Sequence, residues 1–373
     1  MITDLPDFPW DSLAPYKERA RAHRGGLIDL SVGTPVDPTP DVIQDALRSA
    51  ANAPGYPQVW GTPDLREAIS DWFRRRRGVP DVHPDAVMPT IGSKELVAWL
   101  PTLLGLRAGD LVGIPRVAYP TYDVGARLAG ATPIVVDGLA ALGPLTPSTT
   151  PKLLWLNSPG NPTGKVLGVE HLRKVVEWAR RNGVIVASDE CYAELDWRDE
   201  SERETTGSTP SILDPRVTGG DHAGLLAVYS TSKQSNLAGY RAAFVAGDPA
   251  LVAGLVEVRK HAGMIVPWPV QQALLAAVTD DAHVVLQRDR YAARRAVLRP
   301  ALARFGMRID DSEAGLYLWA TAEEDCWETV ARLAERGIAV APGAFYGASS
   351  GRHVRVALTA GDDAIADAAR RLA

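Results

Sequence analysis

Hydrophobic and polar positions fall into two alternating patterns along this chain. Between about residues 41 and 260, stretches with apolar residues three and four apart are separated by short, continuous apolar runs. Residues 41–50, opened by Asp41, and residues 63–78, stopped by Gly78, read as amphipathic helices. A third, over 167–182, stops at Gly183. The apolar runs at 111–114, 133–136, 153–156, 184–187, 225–229 and 242–246 read as strands. Runs apolar on both faces, alternating with helices, predict an α/β fold with a mostly parallel sheet covered by helices on both sides. Past residue 265 the pattern changes to a long Arg- and Ala-rich helix over 281–305, then short strands near 307–309, 317–320 and 354–358. That predicts a smaller α+β unit. The expected organisation is an N-terminal arm over 1–40 that joins the small domain, a large domain over 41–264, and a small C-terminal domain over 265–373. Two Pro/Gly-rich polar segments, 138–151 and 198–224, read as loops, and the length of the second predicts function or mobility.

Composition narrows the class. The 373 residues exceed one compact core on a prior of roughly 100–200 residues per domain, in keeping with two units. Hydrophobic residues at 46% and charged residues at 23% exclude disordered and collagen-like chains. A net charge of -5 argues against a partner made of nucleic-acid phosphates. The basic run 74–77 reads as the positive end of a helix. Cys191 and Cys326 lie too far apart in sequence to suggest a disulfide framework or a zinc site. No apolar stretch approaches the roughly 18–20 residues that span a bilayer, and the N-terminus lacks an apolar signal core. A cytoplasmic enzyme is the expected class. Seven lysines against 33 arginines make each lysine worth asking about.

Common phosphate and catalytic motifs are missing. The sequence holds no G-x-G-x-x-G after its first strand, no G-x-x-x-x-G-K-[ST], no H-E-x-x-H and no G-x-S-x-G. None of its seven histidines has a partner at metal-ligand spacing, so no metal is expected. Polar residues instead gather at the C-terminal ends of three expected strands, where open α/β sheets bind ligands. They are Asn157-Ser-Pro-Gly-Asn161-Pro-Thr-Gly164, Ser188-Asp189-Glu190-Cys191-Tyr192, and Ser230-Thr-Ser232-Lys233 running on to Arg241. An amine, a carboxylate and a phenol at one sheet edge suit pyridoxal phosphate. The amine condenses with its aldehyde, the carboxylate keeps the ring nitrogen protonated, and phenol and amide bond the ring oxygen. Phosphate calls for hydroxyls, an arginine and a helix start. Lys17, Lys152, Lys165, Lys174 and Lys260 read as solvated side chains, and Lys94 opens a helix. Lys233 alone follows a buried-looking strand between serines.

Ser230-Thr-Ser-Lys233 with Arg241, Asn161-Pro-Thr-Gly164, Asp189-x-x-Tyr192 and Val340-Ala-Pro-Gly343-Ala-Phe345 together resemble the fold-type I, class I/II aminotransferases, in that family's order. The resemblance runs from about Ile28 to Thr359 and implies a large domain with a seven-stranded sheet beside a smaller one. It implies that Lys233 anchors the cofactor and shuttles a proton, that Asp189 pairs with the ring nitrogen, and that Tyr192 and Asn161 bond the ring oxygen. Tyr119 falls where the family stacks an aromatic on the ring. Ser93, Lys94, Ser230, Ser232 and Arg241 would surround the phosphate, with Tyr56 reaching the phosphate of a partner subunit in a homodimer. Gly33, Asn161 and Arg355 would hold the substrate, Arg355 by its α-carboxylate. Taken singly, Tyr119 and Tyr192 also suit core aromatics, and Arg355 a surface ion pair with Arg352 as a rival.

Several stretches are similar to the actinobacterial N-succinyldiaminopimelate aminotransferases of lysine biosynthesis. They are Asp7-Phe-Pro-Trp10-Asp, Leu30-Ser-Val-Gly-Thr-Pro-Val-Asp37-Pro, Ala98-Trp99-Leu-Pro-Thr-Leu-Leu-Gly105, Ser188-Asp-Glu-Cys-Tyr192 and Arg259-Lys-His-Ala-Gly-Met264. This implies transfer from L-glutamate to N-succinyl-2-amino-6-ketopimelate. Such a substrate carries several carboxylates, and Arg259, Lys260, Arg116 and His261 are candidate cations for them. Gln234-Ser235 and the acidic segment 199–204 depart from the pattern, which leaves open an aminotransferase for another amino or keto acid. A pyridoxal-phosphate C–S β-lyase would use the same cofactor residues. A ligand-sensing regulator is disfavoured, because only about 30 residues precede the matching region, too few for a winged helix.

Overall fold

Thirteen strands carry the architecture of the computed structural model, which describes residues 5–138, 146, 148–199 and 209–373. They are β1 (Ile28–Asp29), β2 (Val87–Ile91), β3 (Leu111–Ile114), β4 (Thr132–Val135), β5 (Leu153–Asn157), β6 (Ile185–Asp189), β7 (Leu225–Ser230), β8 (Ala242–Gly247), β9 (Arg308–Asp310), β10 (Tyr317–Thr321), β11 (Ile338–Ala339), β12 (Ala341–Pro342) and β13 (Val354–Ala357). Seven form the central sheet in the order β2-β8-β7-β6-β5-β3-β4. Every neighbouring pair from β7 to β4 is parallel, and only β8 runs against its two neighbours.

Alternation along the central strands explains why the sheet is covered twice. Leu154, Leu156, Val186 and Ala227 join one buried cluster, with Trp72, Leu172 and Leu274 from the helices Pro63–Trp72, Val169–Asn182 and Trp268–Thr279. Leu153, Trp155, Ala187 and Val228 point the other way, against Leu96, Tyr122 and Leu255 from the helices Ser93–Leu103, Thr121–Leu128 and Pro249–Ala262. Each leucine or valine among them contributes about 1.5–3 kcal/mol through burial. A third cluster lies under the antiparallel sheet β12-β13-β10-β9, where Tyr291 and Leu298 of the helix Ala282–Arg304 meet Leu318, Val356 and Leu13. β1 pairs in parallel with β11 in a separate two-stranded sheet, which ties the N-terminal arm to the chain just ahead of β12.

One strand of the central sheet was hidden from the pattern. β2 reads Val-Met-Pro-Thr-Ile, and a proline argues against a strand unless it sits on an edge. Pro89 does sit on an edge strand, opposite Phe244. The helix expected over 63–78 runs regularly to Trp72 and then widens into a π turn over Phe73–Arg77. The basic run is more than a charged helix end: Arg76 bonds Glu194, and Arg77, 3% exposed, pairs with Glu190 at 3.2 Å. Glu190 also accepts from Ser211 Oγ and Ile212 N–H. Most of the acidic segment 199–204 and parts of both long loops lie outside the described residues. Among those described, no helix is long and apolar enough to cross a membrane, and no group of three His, Cys, Asp or Glu side chains could hold a metal.

Removing one partner of a buried ion pair strands the other charge. Arg77→Met is therefore expected to lower the free energy of unfolding by about 3–5 kcal/mol in a urea titration. A loss below about 1 kcal/mol would show that the pair does not support the fold.

Candidate active site

Three neighbouring strands end together. In register, Asn157 of β5 faces Asp189 of β6, and Asp189 faces Val228 of β7, so their C-terminal residues open onto one edge. The short helix Thr231–Gln234 follows β7 directly and carries Lys233. A cavity of about 1010 Å³ lies there. Its lining includes Gly33, Ser93, Lys94, Tyr119, Asn161, Asp189, Tyr192, Ser230, Ser232, Lys233, Arg241 and Arg355. The arm, both sheets and the helix starts between them all contribute.

Asp189 is buried, and among the described residues no cationic side chain bonds it. Its partners are Tyr122, whose hydroxyl donates at 2.9 Å, and the Cys191 N–H at 3.2 Å. Burial raises its pKa, and these bonds offset that only in part. Tyr122 is itself fully buried and stacks on Trp155 at 5.0 Å, which fixes the direction of its hydroxyl.

Lys233 donates from Nζ to the carbonyl of Gly33 in the arm. Burial lowers its pKa, and the charges of Arg355 and Arg241 act in the same direction. Arg355, 3% exposed, donates from Nη1 to Asn161 Oδ1 at 3.0 Å and from Nη2 to the Ser31 carbonyl at 2.8 Å. Its Nε is buried without a partner, and its guanidinium lies 3.9 Å from the centre of the Tyr317 ring. Arg352, the rival by sequence, does not line the cavity. Asn161 is set by its own turn, since Asn157 Oδ1 accepts its backbone N–H at 2.7 Å.

Opposite these groups, Gly92 has φ of +74° at the start of the helix Ser93–Leu103. A Cβ there would run into the Arg241 guanidinium, so glycine keeps the helix start and the arginine close together. Ser230 Oγ donates to Ser232 Oγ at 2.8 Å and accepts the Ser232 N–H at 3.2 Å. Hydroxyls, a guanidinium and a helix N-terminus are a donor set for a phosphate. Tyr119 stands edge-on to Tyr122 with 5.9 Å between rings, and burial pushes its phenol up to about 12.

These residues fit pyridoxal phosphate. The buried carboxylate without a cation suits a protonated ring nitrogen, and Lys233 suits the aldehyde. The cradle around Gly92 suits the phosphate, and the unpartnered Arg355 Nε suits a substrate carboxylate. Other expected residues lie elsewhere. Tyr56 is fully exposed and outside this cavity. None of the four candidate cations for distal carboxylates lines it. Arg259 is completely buried against Glu95 at 2.7 Å, Lys260 pairs with Glu257, Arg116 pairs with Asp137, and His261 lies on the surface. Arg259 and Lys260 sit in the last turn of the helix Pro249–Ala262, where the helix end and nearby acids account for the charge.

Sequence reasoning missed Tyr122, Tyr317 and the segment 5–10, whose Leu5, Phe8 and Trp10 line the cavity. Tyr122 had a faint signal, three residues after Tyr119 at the start of a helix. Tyr317 had none, because a tyrosine within an apolar strand reads as core.

The family described as aminotransferase class I and II matches residues 26–372. A probable aminotransferase of Mycobacterium tuberculosis is 58% identical over 368 residues, covering 99% of this chain and 85% of that protein. The 4-dedimethylamino-4-oxo-anhydrotetracycline transaminase OxyQ of Streptomyces rimosus is 56% identical over 371 residues and the whole of both chains. Among solved structures, a probable N-succinyldiaminopimelate aminotransferase from Thermus thermophilus superposes with a TM-score of 0.83. It is 29% identical and covers 98% of this chain and 99% of that one.

Borohydride reduction in the presence of pyridoxal phosphate should tag the peptide that carries Lys233, read by mass spectrometry, and leave Lys233→Ala untagged. Tagging of another lysine in its place would remove Lys233 from the centre of the site.

Proposed function

Because this chain belongs to the class I and II aminotransferases, a family that uses pyridoxal phosphate, we propose that it moves an amino group from L-glutamate to a keto acid in two half-reactions, with Lys233 as anchor and proton carrier. The observation that carries this reading is the convergence of Lys233, Asp189 and an Arg355 with an unpartnered Nε on one cavity.

Bound there, pyridoxal phosphate supplies an electron sink for the charge left when the substrate Cα loses its proton. Asp189 holds the proton of the ring nitrogen, and its bonds from Tyr122 and Cys191 aim it. Tyr192 and Asn161 would bond the ring oxygen, and Tyr119 would pack beside the ring. Ser93, Lys94, Ser230, Ser232 and Arg241 hold the phosphate. Arg355 grips the α-carboxylate and so presents Cα to Lys233. Once free, the Lys233 amine takes the Cα proton. Its lowered pKa keeps more of it neutral, as a base requires. Gly33 and the segment 5–10 form one wall of the cavity. Members of this family are typically dimeric, and we place Tyr56 at the phosphate of the partner subunit.

The acceptor we propose is N-succinyl-2-amino-6-ketopimelate. Its support is the stretches shared with the N-succinyldiaminopimelate enzymes and the Thermus thermophilus relative. A second reading is an acceptor with a bulky apolar body. Leu5, Phe8, Val32, Val97 and Val124 give the outer cavity an apolar wall, and the Streptomyces rimosus relative acts, by its name, on an oxo-anhydrotetracycline.

A screen with L-glutamate as donor separates the two. Turnover of N-succinyl-2-amino-6-ketopimelate well above that of simple keto acids and polycyclic ketones supports the first. Turnover of polycyclic ketones alone overturns it, and pyruvate release from cystathionine without any transfer overturns both. Arg355→Ala should lower kcat/KM for L-glutamate by about 100-fold or more, the scale for truncating a buried charged hydrogen-bond partner.

A further inference from the structure

We propose that Tyr317 is a positioning residue that joins the carboxylate-binding Arg355 to the cofactor-facing Tyr192 through a hydrogen bond between two phenols. This rests on the function proposed above.

Three separate contacts set the Tyr317 side chain. Its ring lies flat against the Arg355 guanidinium, 3.9 Å from centre to Cζ. Its hydroxyl stands 3.2 Å from the Tyr192 hydroxyl, with the two rings 5.6 Å apart and nearly perpendicular. The arm makes room for it at Gly33, where any Cβ would collide with the Tyr317 hydroxyl. Tyr317 is in β10 and Arg355 in β13, whose pairing sets Trp319 opposite Arg355, while Tyr192 follows β6 of the central sheet. The phenol pair therefore bridges the two sheets. Apolar packing alone would be served by phenylalanine. A buried hydroxyl needs a partner, and Tyr192 is the one this hydroxyl has.

The surroundings decide which phenol donates. Arg355, Lys233, Tyr192 and Cys191 act on Tyr317, and Tyr119 and Tyr346 lie close by. Burial alone would push the Tyr317 phenol up, but the charges of Arg355 and Lys233 act against it, and its pKa lies below its ordinary value. Burial and the neighbouring Tyr317 push Tyr192 well above its own. An anionic ring oxygen can only accept, so Tyr192 donates to it and the Tyr192 oxygen is left to accept from Tyr317. Tyr317 thus gives its proton to the Tyr192 oxygen, which frees the Tyr192 proton for the ring oxygen. Each bond in such a chain strengthens the next. A stronger bond to the ring oxygen stabilises its anionic form, so the Lys233–cofactor linkage gives up its proton at a lower pH.

The test is the pH midpoint of visible absorbance in the substrate-free holoenzyme. Tyr317→Phe should raise the midpoint by about 0.5–1 pH unit, within the range of one hydrogen bond acting on a titrating group. Tyr192→Phe should raise it further, and Tyr317→Phe added to Tyr192→Phe should change nothing more, because Tyr317 acts through Tyr192. An unchanged midpoint in Tyr317→Phe or additive shifts in the double variant would each overturn this role and leave the aminotransferase reading standing. A protein that takes up no pyridoxal phosphate would overturn both.

Discussion

A carboxylate and a guanidinium, both buried, line one cavity without pairing with each other. That constraint organises the site. Ions taken out of water are stable only where partners are fixed in advance. Asp189 has the Tyr122 hydroxyl and a backbone N–H, while Arg355 has the Asn161 side chain, a backbone carbonyl and the Tyr317 ring. Neither set is a full counter-charge. Each leaves its ion able to serve a charged group on a bound molecule, and Lys233 lies in the same cavity with its amine made less basic by burial.

The scaffold behind that constraint is stiff for identifiable reasons. Successive residues at the end of β6 go to opposite uses. Asp189 serves the cavity, and Glu190 turns to Arg77, Ser211 and the Ile212 N–H. The arm is held as firmly from outside. Asp37 receives two bonds from Arg294 and one from Gln287, and Gln287 also accepts from Asn236 in the turn just after Lys233. The helix Ala282–Arg304 thereby connects the lysine turn to the arm above it.

How much could be read from the sequence followed from how local each cause is. β5, β6 and β7 announced themselves through apolar runs that end in polar strings, and Asn161, Asp189 and Lys233 come within a few residues of those ends. Their spatial neighbours needed only parallel pairing to be inferred. β2 was lost because Pro89 reads as a breaker until its edge position is known. Arg259 misled because its partner, Glu95, lies 164 residues away. Tyr317 was silent for a similar reason: strand periodicity announces burial, whereas the hydroxyl's use depends on two distant elements.

Residues 5–10 form part of the wall around the cavity that holds Lys233, while Ala373 does not line it. Any affinity tag or fusion partner joined ahead of Leu5 therefore leaves the globule beside that wall, and a handle for purification or immobilisation belongs at the opposite terminus.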